Sequence, residues 1–214
     1  MKVILVDKSS DYLKKIWLAA RSCYSSLSAI ELLEQNPTQE EMLRIADKVI
    51  SSKHLSVLEH CHMTFAVKDV SRTLLAQYTR HRIGISLSVQ SQRYVSEASD
   101  KQKGNIFDYV IPPEIKGNEE AKEVFLEAMG LCQQYYDKLK VLGIKNQDAR
   151  FVLPGGAGTN FLTSLNLRSL FDVYEKRVVV PGAQWEIKEM VLTMVKLIVD
   201  EEPWLKGYFY RIEF

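Results

Sequence analysis

Neither sign of charge is in excess in this 214-residue sequence. Its 28 lysines and arginines stand against 27 aspartates and glutamates, for a net charge of +1. That balance argues against a protein whose main task is gripping nucleic acid through bulk electrostatics, although a local basic site depends on placement rather than on the sum. Long hydrophobic runs are also missing, and none approaches the roughly 20 residues a membrane-spanning helix needs. The stretch from Met1 to Asp7 is too short an apolar run for a secretory signal and ends on a charge, so it reads as a first strand. Cysteine is scarce. Cys23, Cys61 and Cys132 are odd in number, widely spaced and form no CxxC pair. They exclude a disulfide framework and read as reduced, mostly buried thiols of a cytoplasmic protein. No internal repeat and no low-complexity segment is found. The 46% hydrophobic and 26% charged content supplies a packed core, and the length suits a single domain over residues 1–214.

Periodicity sets the coarse element list. Residues 10–24 carry a helical pattern with Tyr12, Ile16, Leu18, Ala19 and Cys23 near one face. A second helix follows Pro37, opened by a Thr38–Glu41 capping box and striped by Met42, Ile45, Val49 and Ile50. Residues 61–68 read as a strand with Cys61, Met63, Phe65 and Val67 on one side. Helix returns from about Val70 to Arg82, and residues 101–118 form a loop excursion rich in glycine and proline. The longest helix is expected from about Glu119 to Leu142, and another over about 183–200 through Ile187, Met190, Val191, Met194, Leu197 and Ile198. The fold class is therefore α+β, a mixed or antiparallel sheet packed with several long helices.

The chemistry concentrates in Gln77-Tyr78-Thr79-Arg80-His81-Arg82 and, after a polar segment, Ser88-Val89-Gln90-Ser91-Gln92-Arg93-Tyr94. Cations closing a helix have a bland explanation, since they complement its macrodipole. That explanation does not reach the second segment, nor Arg150, Arg168 and Arg177 in otherwise apolar surroundings. Arginine offers a planar fork of donors that suits a phosphate or the edge of a planar ring. Several arginines without neighbouring acids point to a ligand that carries the negative charge.

These residues resemble a family. Arg80-His81-Arg82 followed by Ser91-Gln92-Arg93-Tyr94 is similar to the signature of the flavin-dependent thymidylate synthases. Ala19-Ala20-Arg21-Ser22-Cys23-Tyr24, His54-Leu55-Ser56-Val57-Leu58-Glu59-His60, Ala149 to Pro154, Asn166 to Leu170 and Ala183 to Ile187 resemble further blocks of that family in the same order, over about residues 15–200. Three departures stand out. Eight residues instead of seven separate Arg82 from Ser91, Val89 occupies a position that is often Glu or Gln, and the link from Arg177 to Ala183 is one residue longer.

The resemblance implies reductive methylation of dUMP to dTMP, with FAD as cofactor and methylenetetrahydrofolate and NADPH as cosubstrates. It also implies a homotetramer. No cysteine nucleophile is needed. By carry-over, Gln77, Arg80, Ser91, Gln92, Arg93, Arg150 and Arg177 contact dUMP, and Ser56, Arg80, His81, Arg82, Asn166, Leu167, Arg168 and Asp172 contact FAD. His54 sits where folate enters. Arg177 polarises the uracil ring, and Ser91, the other candidate for the chemistry, is more at home as a hydrogen-bonding ligand than as an attacking hydroxyl without a paired base.

His60 and His62 would share a strand face, but no further ligand block follows at zinc-like spacing, so no metal is expected. Trp185 reads as core at a helix start, with Gln184 or Glu186 steering an arginine. A related methylase acting on UMP or a modified pyrimidine is a close rival. A non-catalytic nucleotide- or RNA-binding module and an arginine-bridged structural oligomer are more distant ones. Neither nucleic acid nor membrane is expected as a partner.

Overall fold

The structure, a computed structural model, describes residues 1–209. In chain order its elements are β1 (Lys2–Lys8), α1 (Tyr12–Tyr24), α2 (Ala29–Leu33), α3 (Gln39–Ser51), a 3-10 segment at Leu55–His60, β2 (His62–Ser71), α4 (Arg72–Tyr78) and β3 (Ile85–Val89). There follow α5 (Pro113–Lys116), α6 (Glu119–Val141), α7 (Asn146–Ala149), β4 (Gly158–Asn166), α8 (Leu167–Tyr174) and α9 (Trp185–Glu201). Among the described residues four strands form one antiparallel sheet in the order β1-β2-β4-β3, which is the α+β class read from the sequence. Register shows in side chains as well as backbone. The hydroxyls of Thr64 and Ser164 meet at 2.8 Å, and the Asp69 N–H reaches Asn160 Oδ1 at 3.2 Å, so β4 retreats as β2 advances.

The chain divides into two compact units. One comprises Met1–Lys2, Val67–Arg80 and Ser88–Phe161; the other comprises Val3–Ala66, His81–Leu87 and the chain from Leu162 onward. The second unit buries a broad apolar stripe of α9: Ile187, Met190, Val191, Met194, Val195 and Ile198 are all fully buried. With them lie Leu167 and Leu170 of α8, Tyr12 and Ile16 of α1, and Met63 and Phe65 of β2. Gln184 caps α9 by accepting from the N–H groups of Glu186 and Ile187 at 3.0 and 3.1 Å, which fixes where the helix starts. The first unit has its own core, where Phe107, Met129 and Ala157 pack with Phe125, Tyr109 and Leu153. A single buried amide ties that core together. Gln133 Oε1 accepts from Phe107 N–H at 2.8 Å, while its Nε2 donates to the Glu97 carbonyl and the Asp137 carboxylate, each at 3.0 Å.

Several expectations need correction. The buried face of α1 runs through Tyr12, Ile16, Trp17 and Ala20, not through Leu18, Ala19 and Cys23, and Cys23 is exposed while Cys61 is buried. Thr38 does cap α3, but the Glu41 carboxylate is drawn away to Trp17 Nε1 at 2.9 Å, so the reciprocal half of the box is not made. The full capping box belongs to α2, between Ser28 and Glu31. Helix α4 stops at Tyr78, short of Arg80-His81-Arg82, so those cations are not its last turn. Trp185 is only half-buried. His60 closes the 3-10 segment while His62 opens β2, so the two do not share a strand face. Strands β3 and β4 are additions to the sequence reading.

Candidate functional site

In the first unit, α4 is started by Ser71, whose hydroxyl accepts from Leu74 N–H at 2.9 Å. Gln77 lies in its last turn, and Arg80 stands exposed just beyond the Thr79 cap. After β3 the chain turns about Ser91. Its carbonyl accepts from the N–H groups of Tyr94 and Val95 at 3.2 and 2.9 Å, and its hydroxyl accepts from Arg93 N–H at 3.2 Å. That turn projects the Arg93 guanidinium over the Tyr94 ring, 5.4 Å from its centroid. Among the described residues no histidine or carboxylate hydrogen-bonds the Ser91 hydroxyl, which leaves it a ligand rather than an activated nucleophile. Gln92 is buried, and its amide nitrogen has no partner of good hydrogen-bond geometry; an interaction with the Glu97 carboxyl falls short of that standard. Arg150 sits in the 3-10 turn after α7, steadied by Nε donating to the Gln147 carbonyl at 3.2 Å.

Sequence reasoning passed over Arg72 in this unit. Its guanidinium donates to the Gln90 carbonyl at 2.9 Å, while its buried Nε has no hydrogen-bond partner among the described residues. Burial lowers its pKa, Glu97 opposes that and Arg150 reinforces it. An arginine at the first helical position after a strand carries no sequence signal that separates it from a solvated one. Arg80, Arg93 and Arg150 make no ion pair among the described residues.

In the second unit the arrangement centres on α8. Asn166 caps it, its Oδ1 accepting from Ser169 N–H at 2.8 Å, and the Ser169 hydroxyl donates to the Ile83 carbonyl at 2.8 Å. These bonds hold the loop that follows Arg82 against the start of the helix. Gly84 makes that approach feasible: it has φ +66, and a Cβ there would fall 2.4 Å from Ser169 Oγ. Leu167 is fully buried, with its N–H on the Cys61 carbonyl at 2.9 Å. Arg168 reaches the Glu59 carboxylate at 2.5 Å, and Glu59 is another residue missing from the sequence-derived set.

The far end of α8 continues as a π-helical turn, Glu175–Val179, closed by Val180 N–H to the Glu175 carbonyl at 3.0 Å. Arg177 projects from it, and its Nε donates to His81 Nε2 at 2.8 Å. That bond requires an unprotonated Nε2, so the ring proton sits on Nδ1, 3.9 Å from the Asp172 carboxylate. Burial, then the Arg177 charge, hold the His81 pKa below its usual 6.5, with Asp172 opposing. Asp172 in turn pairs with Lys176 one helical turn on, at 2.8 Å. Arg82 is exposed and unpaired among the described residues, and Ile83 beside it is 87% exposed, leaving an apolar face available. His54 and Ser56 flank the start of the 3-10 segment and both line one groove with Arg168. Cys61 is buried and its thiol is pushed up to about 12, which removes it as a nucleophile near neutral pH.

The residues singled out in the sequence thus fall into two sets, each within one unit. Gln77, Arg80, Ser91, Gln92, Arg93 and Arg150 lie in the first, and His54, Ser56, His81, Arg82, Asn166, Leu167, Arg168, Asp172 and Arg177 in the second. A profile of the thymidylate synthase complementing protein family matches residues 4–204. A flavin-dependent thymidylate synthase of Geobacter sulfurreducens is 36% identical over 203 residues, 95% of this chain and 84% of that one. The chain belongs to the flavin-dependent thymidylate synthase family. A second member, from Clostridium tetani, is 33% identical over 97% of this chain and 86% of its own. The family fold recurs in a Helicobacter pylori flavin-dependent thymidylate synthase complexed with FAD and dUMP. It has a TM-score of 0.74 and 24% identity, and the match covers 99% of this chain and 98% of that one. It recurs also in a UMP/dUMP methylase of Streptomyces cacaoi bound with 5-bromo-dUMP, with a TM-score of 0.77, 20% identity and coverage of 96% and 94%. Among the described residues no helix is long and apolar enough to cross a membrane, and no cluster of three or more His, Cys, Asp or Glu is placed to hold a metal ion.

Proposed function

We propose that this protein catalyses the reductive methylation of dUMP to dTMP, consuming methylenetetrahydrofolate and NADPH, with FAD as its cofactor. The observation that carries the reading is family membership over residues 4–204, joined to relatives of that activity at 33–36% identity across nearly the whole chain. The residues fit an anionic, planar cofactor and substrate: among the described residues Arg80, Arg82, Arg93 and Arg150 lack acidic partners, and the Gln92 amide is buried without a well-formed hydrogen bond. When bound, FAD supplies the redox chemistry; the protein supplies binding, orientation and charge.

In this reading Ser56, Arg80, His81, Arg82, Asn166, Arg168 and Asp172 hold FAD, with Leu167 anchoring the first turn of α8. Gln77, Arg80, Ser91 and Gln92 bind dUMP, and Arg93 and Arg150 take its phosphate. His54 lies where folate approaches. Arg177, oriented by the neutral His81 ring, meets the uracil edge and stabilises the charge that develops there. The protein works in the cytoplasm as a homotetramer folded as one domain per chain, without nucleic acid as a partner. Comparing dUMP with deoxyuridine tests the phosphate assignment. Loss of two charge-assisted hydrogen bonds should weaken binding by roughly two to four decades, whereas equal affinity removes Arg93 and Arg150 from the site.

A further inference from the structure

Helices α1 and α3 pack against each other, and beside them lies a groove of about 610 Å³ that is lined by no proposed FAD or dUMP contact, though His54, assigned above to folate, lines it too. Its floor is apolar, made by Ala20, Ile45 and Val49, and its cations are Arg21, Arg44 and Lys48. Among the described residues no carboxylate lines it. None of those three cations makes an ion pair among the described residues. Arg21 and Lys48 stand in the last turns of their helices, where the macrodipole alone favours a cation. Arg44 has no such explanation, being in the middle of α3. The groove is continuous with a second one of about 420 Å³: Ala20, Tyr24, Val49 and His54 line both, and the second also takes in Ser56 and Arg168. A ligand whose reacting end lies by His54 therefore has a cationic channel, with an apolar floor, running away from the chemistry.

We propose that the α1–α3 groove binds the anionic, non-reacting end of a cosubstrate through Arg44, Lys48 and Arg21. This rests on the functional reading above, which names two cosubstrates with such an end. Methylenetetrahydrofolate ends in a chain of glutamate carboxylates, and NADPH carries a 2′-phosphate that NADH lacks. Both present multiple negative charges on a flexible stem, which exposed cations grip modestly but cumulatively.

The test uses the FAD-loaded protein and an Arg44→Gln/Lys48→Gln double variant. KM is measured for methylenetetrahydrofolate with one and with five glutamates, and for NADPH and NADH. Calorimetric titration of the corresponding tetrahydrofolates reads the glutamate ratio without turnover. The wild type should favour the longer glutamate chain, or NADPH over NADH, by about tenfold, and that ratio should fall toward one in the double variant. Raising the salt concentration should erode the same ratio in the wild type, a reading independent of how the variant folds. Which ratio moves identifies the source of the anion. Ratios that stay flat in the wild type or persist in the variant overturn the proposal, as does a variant that loses FAD instead. Should dTMP still form while both ratios are flat, only the groove assignment fails; should no dTMP form from any substrate, the functional reading fails.

Discussion

Arg177 and His81 make a pair in which each sets the state of the other. The Arg177 charge helps to keep the imidazole neutral, and the neutral imidazole supplies the acceptor that aims the guanidinium. A group that stabilises developing charge must act more strongly on the transition state than on bound substrate. Arg177→Ala should therefore slow single-turnover methyl transfer by roughly a hundredfold or more, with a smaller loss of dUMP affinity. Arg177→Lys should restore only part, because a point charge does not reproduce the planar fork. A variant that melts early yet reacts normally would assign Arg177 a structural role. The pH dependence follows from the direction of the His81 shift. Its folded pKa lies below the ordinary 6.5, so the stability it contributes is present above that value and is lost as pH falls toward the folded pKa. Single-turnover rate should fall over the same acid range as the Nε2 acceptor is protonated; a rate flat from pH 7 to about 5 would break the link. Gly84 gives a third check. Gly84→Ala places a methyl against Ser169 Oγ and the Asn166 amide at a left-handed φ, and should cost about 1–3 kcal/mol of stability together with FAD retention. Undiminished melting temperature and flavin content would remove that contact from the account.

Elements, more than residues, explain where sequence reading succeeded. The stripe of α9 and the alternation Met63, Phe65, Val67 were legible because the buried positions, Glu186 apart, carry apolar side chains at the period of their element, although Val195 is buried in the place expected for Leu197. Strand β4 was not, since two of its buried positions are Thr159 and Thr163, which blur the alternation with Phe161 and Leu165. Strand β3 does alternate, through Ile85, Leu87 and Val89, but its five residues are short and lie inside the motif segment. The face assigned to α1 failed because Trp17 and Ala20 are buried while Cys23, equally apolar on paper, faces solvent. The π turn after α8 was not foreseeable from period. It lodges an extra residue without breaking the hydrogen-bonded ladder, at the start of the segment whose length departs from the family. In the other unit, α6 presents to a core the buried amide of Gln133, bonded at both its oxygen and its nitrogen. Gln133→Leu should leave the Phe107 N–H and the Glu97 carbonyl without partners and destabilise by about 2–5 kcal/mol, read as a lower melting temperature. A neutral substitution would show that those groups find partners elsewhere.

For the whole molecule, the residue motifs carried more than composition did. Near-zero net charge and three dispersed cysteines only excluded classes, whereas six ordered blocks led to the family that the profile and the relatives establish. The pairings of single residues needed coordinates: Arg168 with Glu59, Arg177 with His81, and the half-buried Arg72 with the Gln90 carbonyl join positions apart in the chain, which no local pattern encodes. The central claim concerns the reaction, and it is tested by giving the purified, FAD-loaded protein dUMP, methylenetetrahydrofolate and NADPH and separating the nucleotides formed. The account predicts a yellow protein that makes dTMP in step with NADPH consumed, requires all three substrates, and leaves UMP largely unmethylated. NADPH oxidation without dTMP, or methylation of UMP in preference to dUMP, would contradict it.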